Sequence, residues 1–360
     1  MITRIDKDYL IYFAQNLLQR SISPNRKFVL FMLRIKKLGM ELYQLNHLLD
    51  SEIDNIGKGQ RPKELFDPIL YLMHHDSQRL YAFLTLLSCH LFSNEVERAI
   101  KPAIGMEMFH EFVQMSEDLI HDQPGHNGVK AVHRKWGQNA VILSGDVMLI
   151  YSYKLLSELE GLDPQILADY VRCSATIIEG QQIRLQMVYP HQMGTEEYLD
   201  FIRRRMAVFS GFCLELGGAM GRAAAEDRRL LRRLGENFGM ALQLKREIDS
   251  LYGAEENGHS QGEAPWNNNQ LNFLLLLALD QAAAEEKAEI DSWLKDNKLK
   301  PEEKRRALQQ IFDRLRIPSQ VRQHTEAYYK AGVGYLRNLE VDDQRKQELM
   351  NFIDQALELN

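Results

Sequence analysis

Apolar residues recur along this chain with the spacing of α-helices rather than of strands. Ala307, Leu308, Ile311, Phe312 and Leu315 fall on one helical face, as do Leu349, Met350, Ile353, Ala356 and Leu357. Both groups predict amphipathic helices laid on a core. Leu80 to Phe92, Ala140 to Leu156 and Ala207 to Leu216 are apolar on most faces, which predicts helices buried inside a bundle. No proline lies between His191 and Ala264, and no glycine between Glu263 and Ala331, so long helices can run there uninterrupted. Turn signals stand at Ser23-Pro24, Gly57-Lys58-Gly59, Gln123-Pro124-Gly125, Gly161-Leu162-Asp163-Pro164 and Tyr189-Pro190. Asp163-Pro164 also starts a helix well, a capping residue followed by proline. The most loop-like stretch runs from Gly253 to Pro265. Strand-like alternation of useful length, internal repeats and low-complexity tracts are absent. The expectation is an all-α chain of ten or more helices in a single large bundle.

Composition agrees with a globular protein: 360 residues, 45% hydrophobic and 26% charged. The net charge of -6 argues against nucleic acid as a partner bound through bulk positive charge. Cys89, Cys173 and Cys213 are scattered and form no C-x-x-C pair, which fits a reducing, cytoplasmic setting. Met1 to Asp8 lack the apolar core of a signal peptide. The longest apolar runs are interrupted, by Asp146 in the case of Val141 to Tyr153, so no transmembrane segment is expected.

One segment carries polar residues where a core helix would be apolar. His110, Gln114, Glu117 and His121 share a helical stripe, with Asp118 and Asp122 beside it. Glu117, Asp118, His121 and Asp122 are spaced to offer ligands to one cation. Carboxylate oxygens favour Mg²⁺, while the histidines would also suit zinc or iron. A solvated helix end explains the same residues, because Gln123-Pro124-Gly125 closes the helix directly afterwards. Glu107-x-x-His110 and Asp118-x-x-His121 also have di-iron spacing, although such sites draw their pairs from separate helices. Two further polar clusters are Glu179-Gly180-Gln181-Gln182 and the face formed by Gln243, Arg246, Glu247 and Ser250.

Taken in order, these segments resemble the trans-isoprenyl diphosphate synthases, or polyprenyl synthetases, over roughly Pro62 to Ala283. The matching block comprises Phe109-His110, Glu117 to Asp122, Val132-His133 with Gly137, and Ile142-Leu143 with Gly145-Asp146. Glu179-Gly180-Gln181, Gln243-Leu244, Leu251-Tyr252-Gly253 and Asn268-Asn269 follow in the family's order. The resemblance implies an isoprenoid-synthase bundle around a central cavity. It divides the single domain into an N-terminal helical extension (1–60), the family core (61–283) and C-terminal helices (284–360). In the family, two Asp-rich motifs hold Mg²⁺ on an allylic prenyl diphosphate, and isopentenyl diphosphate attacks the carbocation left when the diphosphate departs. The resemblance also implies a dimer.

The chain departs from this pattern at its charged positions. The first motif is Glu117-Asp118-x-x-His121, with Asp122 one place late; the second is Arg246-Glu247-x-x-Ser250. His126-Asn127 replaces an arginine pair, and Gln270-Leu271 replaces two lysines. The isopentenyl diphosphate grip becomes Asp76 to Ala82 and keeps only Arg79, while a phosphate-binding lysine becomes Arg205. The resemblance therefore gives Arg79, His110, Gln181, Arg205 and Arg246 as substrate-binding residues. Glu117, Asp118 and Glu247 are the catalytic set if the chain is active, on a weakened Mg²⁺ site. With the isopentenyl grip reduced, head-to-tail elongation is not expected. The expectation is a non-catalytic prenyl-diphosphate-binding protein, or a partner subunit forming a homodimer or a heterodimer with an active synthase. The alternative is a terpene-synthase-like enzyme that ionises one allylic diphosphate.

Overall fold

The computed structural model describes residues 42–75, 79–126, 129–190, 193–252, 269–296 and 300–358. The chain divides into two compact units, residues 1–50 and 51–360. Helix α1 (Leu42–Gly57) begins in the first and ends in the second. The described residues of the rest of the second unit are almost wholly helical: α2 (Lys63–His75), α3 (Leu80–Phe92), α4 (Ile100–Ile120), α5 (Val132–Trp136), α6 (Gln138–Ser157), α7 (Pro164–Gln186), α8 (Thr195–Ile202), α9 (Val208–Met220) and α10 (Ala225–Tyr252). Helices α11 (Phe273–Gln281), α12 (Ala284–Lys295), α13 (Pro301–Arg314), α14 (Ile317–Arg337) and α15 (Asp343–Ala356) follow. Between α4 and α5 lies a hairpin of two-residue strands, with Gly125 opposite Lys130 and His126 opposite Val129. Gly125 adopts φ 133°, and a Cβ there would lie 1.9 Å from the Val129 carbonyl oxygen, so only glycine fits this turn.

Helices α3 and α9 form the centre. Nearly every residue of α3 is buried, and so are Phe209 to Leu214 and Leu216 to Gly218 of α9. Small residues let the central helices approach closely. A Cβ on Gly217 would lie 2.1 Å from the Thr85 carbonyl oxygen, and one on Gly235 would lie 2.4 Å from that of Ser210. Helix α10 packs between α9 and α14. A second apolar cluster joins α8, α10, α11 and α13 through Ile202, Leu244, Phe273, Ile311 and Phe312. Helix α7 starts as its sequence dictates, with the Asp163 carboxylate accepting from the Gln165 amide (3.0 Å) and Pro164 in the first turn.

Helix α6 differs from the expectation of full burial. It buries Val141, Ser144, Gly145, Met148, Ser152, Leu155 and Leu156 on one side. It exposes Ile142 (55%), Leu143 (58%) and Ile150 (62%) on the other. By length and composition it is also the one described helix long and apolar enough to cross a membrane. One of its faces is nonetheless packed against α4 within the bundle.

Candidate functional site

The site is built where the C-terminal part of α4 meets α7 and the segment between α8 and α9. That segment, Arg203–Ala207, is a single π-helical turn. It begins with three successive arginines, of which only Arg205 is buried; Arg204 reaches outward to Asp200. Arg205 approaches α7 at Gly180, where a Cβ would stand 3.0 Å from its own Cβ. The glycine of Glu179-Gly180-Gln181 thus makes room for the arginine. Arg205 Nε donates to Gln181 Oε1 (3.3 Å), and its Nη2 pairs with Glu117 Oε1. A second guanidinium reaches the same carboxylate, Arg184 Nη1 at 3.4 Å, while Arg184 Nη2 donates to Gln270 Oε1 (3.1 Å). Burial pulls the Arg205 guanidinium down to about 10, and it stays charged at neutral pH.

The second motif lies on α10 and is held differently. Glu247 is buried, and its Oε1 accepts from the Tyr198 hydroxyl (2.7 Å) and the Gln243 amide (3.0 Å). Its Oε2 accepts from the Phe273 backbone N–H (2.8 Å) at the start of α11. Burial raises its pKa above the ordinary carboxylate range, against the opposing pull of Gln243, the Phe273 amide, Tyr198 and Arg184. Arg246 next to it is exposed and makes no hydrogen bond or ion pair among the described residues. Its charge acts on the buried Tyr81 hydroxyl. Burial pushes that group up to about 12, with Arg246 and Arg205 opposing and Cys213 and Glu107 adding to the rise.

Tyr81 packs at a tilt against His110 (ring centroids 4.6 Å) and Phe209 (4.7 Å), and Phe209 in turn meets Phe109 (5.2 Å). The apolar, aromatic wall behind the arginines therefore comes from α3, α4 and α9. Glu107, His110 and Glu111 bring their ligand atoms within 4.8 Å of one another on α4, and Glu107 also accepts from the Ala82 amide (2.8 Å). Asp118-x-x-His121 adds nothing to that group.

The structure thus joins Glu117, Gln181 and Arg205 directly and packs His110 against Tyr81. It separates other residues that the spacing grouped. Helix α4 ends at Ile120, so the predicted stripe is cut short. His121 caps the helix, and Asp122 follows at φ 51°. Asp122 is exposed and turns to Arg134 (2.7 Å) and His133 (3.3 Å). Asp118 is buried and accepts from Gln114 (3.2 Å). Arg79, buried ahead of α3, donates to the Met73 carbonyl (3.2 Å). Asp76 to Gln78, Asn127, the Gly253 to Pro265 loop and Asn268 lie outside the described residues. Sequence reasoning missed Arg184. It stands three residues after Gln181 on the same face of α7, and that spacing was the available signal.

Residues 62–311 match the family model described as Polyprenyl synthetase. A geranylgeranyl diphosphate synthase of Saccharolobus solfataricus is 24% identical over 298 residues, covering 81% of this chain and 89% of that one. A second, from Methanosarcina mazei, is 25% identical over 211 residues, covering 58% of this chain and 65% of the relative. The fold matches a crystal structure of geranylgeranyl pyrophosphate synthase with a TM-score of 0.82 and 24% identity, over 88% of this chain and 98% of the other. These relatives overturn the expectation of a non-catalytic binding or partner subunit, and they do not favour the terpene-synthase alternative. The proteins this chain resembles over most of its length are named as synthases that make prenyl diphosphates.

Proposed function

The chain belongs to the polyprenyl synthetase family, and on that premise we propose that it is a chain-elongating prenyl diphosphate synthase of the geranylgeranyl diphosphate class. The observation that carries this reading is the meeting of three distant segments on one carboxylate: Glu117 of α4, Gln181 and Arg184 of α7, and Arg205 of the π turn. Two guanidinium groups at one end of an apolar bundle suit a ligand with an anionic diphosphate head and a hydrocarbon tail.

In this reading Arg184, Arg205 and Arg246 take the allylic diphosphate, and Gln181 and Glu117 orient the first two. The allylic C–O bond breaks, and its electron pair leaves on the diphosphate. The guanidinium groups stabilise that growing charge in a site shielded from water. The terminal alkene carbon of isopentenyl diphosphate then bonds to the allylic carbon, and loss of a proton to the departed diphosphate restores a double bond. Tyr81 and Phe209 offer aromatic faces to the developing cation. His110 and Arg79 are assigned to the second diphosphate. Glu247 is a positioning residue that ties α10 to Tyr198 of α8 and to the start of α11.

Prenyl transfer in this family depends on Mg²⁺, yet the donors at the two motif positions do not make an oxygen cage. Glu117 is engaged by two arginines, Asp122 by Arg134, and Glu247 by three neutral donors. No step above is routed through a metal.

The reading includes a homodimer. Val171, Ile178 and Leu185 are exposed at seven-residue intervals along α7, and Leu143 and Ile150 repeat that interval on α6. Such a stripe suits a helical partner, and a second copy supplies an identical one. A reducing, cytoplasmic setting is part of the same reading, supported by three cysteines buried as free thiols.

The test is turnover of geranyl diphosphate with isopentenyl diphosphate by the purified chain, with products separated by chain length. We expect a longer prenyl diphosphate that forms only when both substrates are present. Absence of any elongated product would overturn the reading.

A further inference from the structure

The two Asp-rich positions of this chain do not present free carboxylates. At the first, Glu117 is already neutralised by Arg205 and Arg184. At the second, the leading residue is Arg246, and the glutamate after it is buried and filled with neutral hydrogen bonds. A site lined by bare carboxylates repels a diphosphate and needs divalent cations to receive it. Here Glu117, Asp118 and Glu247 are each matched by protein donors, and Arg246 makes no ion pair among the described residues.

We infer that the guanidinium groups of Arg184, Arg205 and Arg246 do the work of bound metal, so that the chain holds a diphosphate directly and without Mg²⁺. This rests on the allylic-site reading above and sharpens it. Arg184 and Arg205 are linked through their shared carboxylate, Glu117 Oε1. Arg246 stands on α10, directly ahead of the buried Glu247. Arg246 makes no ion pair among the described residues, so its charge is available at once. Glu117 acts as a resident counter-ion. It keeps two arginines in place inside a buried site, and a diphosphate oxygen displaces it. A guanidinium meets phosphate oxygens through two parallel N–H bonds, which fixes the head group in orientation as well as in charge.

The experiment is calorimetric titration of the full chain with inorganic diphosphate, once in Mg²⁺ buffer and once in EDTA. The expected result is an affinity that changes by no more than about threefold between the two, a difference well below one kcal/mol. Arg246→Gln, at an exposed position without bonds, keeps the fold and weakens binding in EDTA by about tenfold or more, the loss of one charge-assisted contact. Glu117→Gln separates the two accounts further. It tightens binding if the carboxylate competes with diphosphate for the arginines, and weakens it if the carboxylate carries a metal. Binding that disappears in EDTA and returns with Mg²⁺ would overturn the inference, and so would no binding in either buffer. Elongation turnover is read separately with prenyl substrates. A chain that binds diphosphate in EDTA but makes no product would break the reading of function and leave this inference standing.

Discussion

Glu117 leads the first motif and Glu247 stands second in the other, and the surroundings of these two glutamates are opposite. Glu117 is met by two charged donors from two other segments, Arg184 and Arg205. Glu247 is met by a phenol, an amide and a backbone N–H, all neutral. A carboxylate held by cations is exchangeable, because another anion can take its place at similar cost. A carboxylate held by neutral donors at a helix junction is a strap, because its partners gain nothing from a visiting anion. Glu117 thus belongs to the binding chemistry, and Glu247 to the architecture.

Removing Arg205 strikes the exchangeable side hardest. Arg205→Met breaks a buried pair and leaves Glu117 under-compensated, which we expect to cost about 3 kcal/mol in urea unfolding and to abolish measurable elongation. An unfolding curve unchanged from wild type would show that Glu117 does not need this partner. Glu247→Ala comes next. It strands the Tyr198 hydroxyl, the Gln243 amide and the Phe273 N–H, for an expected loss of about 2 kcal/mol. Its effect on diphosphate affinity, measured on the folded protein, should be far smaller than that of Arg246→Gln. A reversal of that order would dissolve the distinction between strap and counter-ion.

Acidity sharpens the same comparison. Burial raises the Glu247 carboxyl in the folded chain, so folding favours its protonated form. That contribution is fully present below the unfolded value, near 4.5, and is lost as pH rises through the folded value. Measured against Glu247→Gln, which does not titrate, the wild type should therefore gain relative stability as the pH falls from neutral toward 4.5. A gap that narrows on acidification would contradict the burial. The smallest effect is expected at Asp122, which is exposed and paired to Arg134 outside the Glu117 cluster. Asp122→Asn should cost less than about 0.5 kcal/mol and leave turnover near wild type. A large loss of turnover would place Asp122 in the site after all.

Much of this was legible in the sequence, and the parts that were not share a cause. The buried α3 and α9 were readable because they are apolar all round. The Asp163 cap was readable because its chemistry is local. Gln181 and Arg205 were reached through resemblance. Periodicity tells which residues share a face but not where a helix stops, so Asp122 was placed on a helix that ends at Ile120. The pairing of Arg184 with Glu117 spans 67 positions and leaves no trace in local spacing. On α6, apolar residues facing the core and apolar residues facing outward look alike in one dimension.

The π turn at Arg203–Ala207 has a consequence of its own. A turn closed by bonds to the fifth residue contains one residue more than its α-helical equivalent. Deleting a residue there would let an unbroken α-helix form through α8 and α9, and its side chains upstream would rotate by about 100° relative to those downstream. Arg205 would then swing off Gly180 and Glu117 although every residue of the site remained in the chain. The grip on the ligand is stored as a phase offset in a single helix, and it can be lost by a change of length as completely as by a change of side chain.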